Sequence, residues 1–450
     1  MEENNQGLST VVSEETDLSQ KKKERSQRFF IAEAAVEYFI ALCVTSTFLT
    51  IILEEMKVPT AYQGVISSIA SLSCVFQLVG VFFVKRTYPC KRWVCIINLA
   101  NQLMFALLYL IPMTPFNQTI RLAVFIVLLL CAYFCQHFVA PSRTQWHYES
   151  VDDNKRGIFT ANKEIISLVG GMIFSYIAAE TVDYFRQPAA TPELHEQNLK
   201  ICFLIFAITI FVLSLIHLFL MIGISEYKPK KEIPKKSFKE VICLVFGNRS
   251  LRNVILFDLL FSLTFVPAHF TSVYALSKNA LGFSPVFVTI VDACFLSAFR
   301  AIISRPLGRF ADRHSWASLM KLCMLASAVS YLIFTFCTPG RLSYILYPMY
   351  ALFHGFASGG TNSARTNLCL DYVPSHADRR YVLGIKSAIS GVADFFFTLL
   401  ASLLVQYIEG NGNQILGIHI YAQQLLFFIN AILLSLLALV MIPKLKKKTP

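Results

Sequence analysis

Twelve apolar stretches recur along this 450-residue chain, and they restrict the possible fold more than any other feature. Each runs for about 18–26 residues, enough to cross roughly 30 Å of hydrocarbon at 1.5 Å per residue. Lipid offers no partner to a bare backbone N–H or C=O, so each stretch is predicted as a helix. The expected spans are 29–53, 62–83, 93–111, 119–139, 158–180, 199–224, 253–276, 286–304, 317–337, 343–369, 383–408 and 417–442. Charged residues make up 15% of the chain, against about 25% in a soluble globule. A water-solvated surface is therefore missing, and the fold class is an all-α integral membrane protein.

Lysine and arginine set the orientation. Residues 1–28, 84–92, 140–157, 225–252, 305–316, 371–386 and 443–450 hold 30 of them, and the alternate loops hold six. Basic residues collect on the cytoplasmic side, so both termini are expected there. An even number of spans agrees. The net charge of +12 then faces anionic lipid of the inner leaflet, and nucleic acid is not needed as a partner. No cleavable leader is apparent, and the first helix is expected to act as the insertion signal. Most of the 12 cysteines fall inside predicted helices without paired spacing, which predicts free thiols.

The polar stretch 1–28 reads as a disordered tail. Residues 29–224 and 253–442 read as two six-helix bundles, 225–252 as a cytoplasmic linker and 443–450 as a basic tail. The segments after the fourth and tenth spans echo one another. Arg143-Thr144 matches Arg365-Thr366, Lys163 matches Lys386, and Gly170 or Gly171 falls opposite Gly391. Six helices separate the copies, so the halves share one orientation, as in parallel repeats related about the membrane normal.

The run Ser304–Trp316 is a short charged segment between two apolar stretches. Gly308 is read as a tight-turn glycine. Asp312, beside Arg305, Arg309 and Arg313, is read as an anion that ties helix ends together in one state and releases them in another. An ordinary basic loop that only sets topology would also account for the charges. Gly308-Arg309-Phe310-Ala311-Asp312-Arg313 resembles the conserved loop between helices eight and nine of the major facilitator superfamily of secondary transporters. The resemblance implies a twelve-helix, six-plus-six fold over 29–442. In the first half the corresponding stretch is Gly80 to Arg86, with Val84 where the family carries aspartate. Arg143, Arg365 and Lys386 complete the candidate cytoplasmic gate with Gly308, Arg309, Asp312 and Arg313.

Ionisable side chains inside apolar spans are costly and mark candidate sites. Glu33 and Glu37 lie four residues apart and share a helix face, which suits two carboxylates sharing a proton. Glu33 could equally reach the basic tail. Asp258, His269, Asp292, Arg300 and Asp394 complete the proton-coupling or cavity candidates, with Asp292 and Arg300 the sharper pair. A purely structural ion-pair network is the competing reading. Small residues such as Gly355, Gly359 and Gly360 fit close helix packing.

No phosphate-binding loop, nucleophile elbow or clustered metal ligands occur. No enzyme, metal or cofactor is expected. The predicted function is secondary active transport of a small-molecule substrate, with H+ as coupling ion, by a chain for which a monomer suffices in a plasma membrane. The leading direction is uptake of a polar metabolite or organic anion. Efflux of drugs or metabolites by proton antiport, and a non-transporting sensor or lipid-moving protein, stay open.

Overall fold

A computed structural model describes residues 2–83, 89–149, 151, 156–188, 190–226, 236–374, 378–415 and 417–445. The first half contains α1 (Glu2–Cys43), α2 (Ser46–Glu55), α3 (Thr60–Ser67), α4 (Ile69–Leu72), α5 (Val75–Phe83), α6 (Lys91–Leu108), α7 (Gln118–Glu149), α8 (Arg156–Arg186) and α9 (Pro192–Gly223). The second contains α10 (Phe238–Gly247), α11 (Arg249–Ser262), α12 (Ala268–Leu276), α13 (Pro285–Thr289), α14 (Leu296–Arg313), α15 (Trp316–Thr335), α16 (Ser343–Leu370), α17 (Arg379–Gly410) and α18 (Ala422–Leu436). A two-residue antiparallel pair, Gln414–Ile415 with Ile418–His419, is the strand structure among the described residues.

These elements make twelve crossings. The first is shared by α1 and α2, the second by α3 to α5, the seventh by α11 and α12, and the eighth by α13 and α14. Among the described residues, eleven stretches are long and apolar enough to span a membrane. The twelfth, α16, has 28 residues but is less apolar, carrying His354, Arg365 and the small-residue run Gly355 to Thr361. Large apolar side chains such as Ile173, Phe211, Phe219 and Leu403 are exposed, as expected where the solvent is lipid rather than water.

Breaks within crossings fall at specific residues. Ser46, between α1 and α2, has φ of 48°, a left-handed conformation that a non-glycine residue adopts only when its surroundings hold it there. A 3₁₀ turn over Leu263–Phe265 precedes Pro267 in the seventh crossing. In the eighth, Ile290–Phe295 form a π-helical turn.

Two expectations are corrected, and the linker gains a short helix. The N-terminal segment continues α1 as helix rather than forming a disordered tail. The four-residue spacing of Glu24 and Arg28 favours that extension, and the Ser26 hydroxyl donates to the Lys22 carbonyl at 3.0 Å. The linker contains α10, whose first turn is closed by a reciprocal Ser237–Glu240 capping box. The segment after the eighth span is no tight turn: α14 runs through Pro306 to Arg313. Gly308 sits inside that helix, with nothing within 4 Å of where a Cβ would stand.

The two halves meet around the α1–α2 break and α12. Ser46 Oγ lies 2.8 Å from Ser272 Oγ, the Thr60 hydroxyl donates to Glu409, and the Phe270 ring covers Gly64. The Val286 N–H donates to Asp183 at 3.2 Å. Along the second and eleventh crossings, Gly391 lies directly against the Ser71 carbonyl. At the opposite end of the crossings α10 bridges the halves: Phe238 packs edge-on to Phe82 at 5.4 Å, and Lys236 pairs with Asp378 at 2.5 Å.

Candidate functional site

The buried charges collect into clusters set by helix periodicity. In the first half, α1 presents Glu33 and Glu37 one turn apart, and α7 presents Arg143 and His147 one turn apart. The Arg143 guanidinium forks onto both carboxylates. His217, from α9, places Nε2 2.9 Å from Glu33 Oε1, and His147 Nε2 lies 3.7 Å from Glu33 Oε2. Glu33 is fully buried. Its Oε2 and His147 Nε2 make no hydrogen bond.

Arg143 therefore neutralises one of the two carboxylates, which share its guanidinium. With neutral imidazoles the cluster carries one net negative charge. The sequence reading stopped the fourth span at 139, before Pro141, and placed Arg143 in a loop. The helix instead continues through Pro141, because membrane helices tolerate the one lost backbone bond. Glu33, Glu37 and His217 approach one another closely enough for a cation. The guanidinium already occupies those carboxylate oxygens, so the positive charge is supplied by the chain itself.

The second half repeats the arrangement. Asp258 on α11 takes a two-pronged bond from Arg365 on α16, with Nη2 to Oδ2 at 2.8 Å. Ser390 on α17 donates to the same carboxylate, and Lys386 Nζ lies 3.5 Å away. The guanidinium also lies over Phe261 and Phe265, 5.6 and 5.2 Å from the ring centroids. Lys386 is only 6% exposed, so it joins this cluster rather than anchoring a helix end. The group carries one net positive charge.

Further pairs form between residues the sequence left unconnected. His269 on α12 meets Asp394 on α17 at 2.9 Å. Asp292 and Arg300, the two sharper candidates, have separate partners. Arg300 reaches across the halves to Glu164 at 3.0 Å, and Asp292 Oδ2 accepts from the Tyr347 hydroxyl at 2.8 Å. Eight residues of helix hold Asp292 and Arg300 about 12 Å apart along one axis, so each finds a partner on a neighbouring helix.

Arg309, Asp312 and Arg313 are exposed, and no ion pair involves them among the described residues. The first-half counterpart, Val84 to Arg86, lies outside the described residues. His217, His147, Tyr347, Glu164 and Ser390 were not singled out as site residues from sequence. A histidine in the apolar sixth span was the one available signal for His217. The 12 cysteines are free.

The sequence model of the Major Facilitator Superfamily matches residues 34–291 and 256–450. The chain belongs to that superfamily. Among solved structures it is similar in fold to the nucleoside transporter NupG, with a TM-score of 0.70 and 13% identity, covering 94% of this chain and 100% of that one. A D-xylose-proton symporter gives 0.68 at 14% identity, covering 94% and 99%. An auto-inhibited POT family peptide transporter gives 0.67 at 13%, covering 95% and 97%. No curated protein sequence matches the chain. In this superfamily member the two arginine-held carboxylates correspond: each joins the first and fourth helices of its half.

Proposed function

We propose that this superfamily member is a secondary active transporter that moves a small polar solute by alternating access, coupled to protons, inward across the plasma membrane with both termini cytoplasmic. The observation that carries this reading is the pair of charged clusters, Glu33–Glu37–Arg143–His217 and Asp258–Arg365–Lys386, in bundles that are in contact at Ser46 and Ser272. The first cluster has one negative charge left over and two imidazoles beside it. A proton taken up by the cluster would make it neutral, which a low-dielectric interior favours. The second has one positive charge left over, which favours a polar metabolite or organic anion as substrate. Two structures of similar fold belong to sugar–proton symporters.

The exposed Asp312, Arg309 and Arg313 fit a gate that is unmade in this conformation and forms when the cytoplasmic ends approach. The test uses purified protein in proteoliposomes with a pH-sensitive dye inside, an imposed pH gradient, and a panel of sugars, nucleosides, organic acids and short peptides. A solute that drives proton movement in the parent, and none in Glu33→Gln, supports the reading. Solute entry without proton movement overturns the coupling.

A further inference from the structure

Asp292 differs from every other carboxylate in the membrane-spanning clusters. Glu33, Glu37, Asp258, Glu164 and Asp394 each face Arg143, Arg365, Arg300 or His269. Asp292 faces no cation among the described residues. One oxygen accepts from Tyr347, and the other, Oδ1, is buried without a hydrogen-bond partner. Thr289 Oγ1, three residues earlier, is also buried and unpartnered.

The surroundings are aromatic. Tyr347, Tyr350 and His354 follow one another at i, i+3 and i+7 on α16, the spacing of one helix face. Tyr347 and Tyr350 stack with centroids 5.9 Å apart, and Tyr350 and His354 at 5.4 Å. Tyr331, from α15, completes the group 5.6 Å from His354. From α8 the backbone carbonyl of Met172 meets Cys294, while Glu164 is engaged by Arg300 and Asp183 by the Val286 N–H. From α2, Glu54 and Glu55 both pair with Arg186. Arg300, on the same crossing, lies about 12 Å further along the axis. None of these supplies a counter-charge to Asp292.

An ionised carboxylate left alone in an apolar interior is costly, and binding a proton removes its charge. The carboxylate also sits in the π-helical turn Ile290–Phe295, a widened turn that occurs mostly where function requires it. We propose that Asp292 is a second proton-binding site, in the outer part of the eighth crossing and separate from the arginine-held carboxylates. It takes its proton from water, carries it on Oδ1, and keeps Oδ2 on the Tyr347 hydroxyl. Tyr347 is a positioning residue. The Tyr350–His354 stripe leads from this carboxylate toward the middle of the bundle, where His354 Nδ1 is buried and unpartnered. The site places one proton-coupling candidate outside the two arginine-held clusters and does not depend on which solute is carried.

The test reads protonation directly. Purified full-length protein in sodium-free buffer is examined by infrared difference spectroscopy across neutral to alkaline pH. The expected result is a carboxylic-acid C=O band at neutral pH that is absent in Asp292→Asn and moves to higher frequency in Tyr347→Phe, which lacks the hydrogen bond. Tyr347→Phe keeps volume and ring packing, so it serves if Asp292→Asn does not fold. Spectra unchanged in both variants mean an ionised Asp292 and overturn the proposal. Loss of the band on adding sodium at fixed pH marks a metal-cation site and overturns it too. Failure of every solute in the proteoliposome assay would count against the transport reading and leave this band untouched.

Discussion

Arg143 and Arg365 hold equivalent places in the two halves: each, from the fourth helix of its bundle, closes on the carboxylate of the first helix. The pairs arise from the sequence echo Arg143-Thr144 and Arg365-Thr366. Their surroundings differ. The first is completed by a second carboxylate and two histidines, the second by a lysine and a serine, which gives the halves opposite residual charge.

The Arg365–Asp258 pair should be strongly coupled. Removing one member of a buried ion pair costs about 3–5 kcal/mol, because the other is stranded, whereas removing both costs much less. Arg365→Ala is expected to lower thermal stability in detergent clearly more than Arg365→Ala combined with Asp258→Ala. Equal losses in a double-mutant cycle would show that the two do not interact.

The ends joined by Ser46 and Ser272 must separate during any alternating-access cycle. Ser46 and Ser272, 2.8 Å apart through their hydroxyls, should cross-link when both are replaced by cysteine in a background without other accessible thiols. Solute uptake is expected to stop on oxidation and to return with reductant. Unimpeded uptake by the fully cross-linked protein would show that these ends stay together throughout.

Gly391 lets α17 lie against the Ser71 carbonyl of the other half. A methyl group there would meet backbone, which cannot swing aside as a side chain can. Gly391→Ala should fold and insert but disfavour this conformation. The expected readout is slower Ser46→Cys/Ser272→Cys cross-linking. A rate equal to that of the parent pair would mean the crossings have slack the structure does not show.

If Asp312 gates as proposed, Asp312→Asn should reduce uptake well beyond any change in the amount of folded protein, since the gate would form in the opposite conformation. Radiolabelled uptake normalised to surface protein measures this, and full activity would leave the exposed charges with a topological role only.

Between the second and third crossings, burial and the Glu226 carboxylate push the Cys90 thiol up to about 12. The thiolate is the reactive form, so at pH 8 its population is on the order of a thousandfold below that of a free cysteine. Maleimide labelling of Cys90 should stay slow up to strongly alkaline pH, and Glu226→Gln should shift the profile to lower pH. Fast labelling of the parent at pH 8 would contradict the contact.

The sequence by itself determined the crossings and the candidate set of buried charges. Apolar length acts locally and does not depend on which helix lies beside which. It misjudged helix ends at Pro141 and Pro306, where a local breaker is outweighed by lipid, in which an unravelled backbone has no partners. Only the tertiary structure decided the pairings. Arg300 belongs to Glu164, Asp292 to Tyr347, His217 to Glu33 and His269 to Asp394. Each pair joins two helices far apart in sequence, so it follows from how the helices rotate and pack, a property that no single segment encodes.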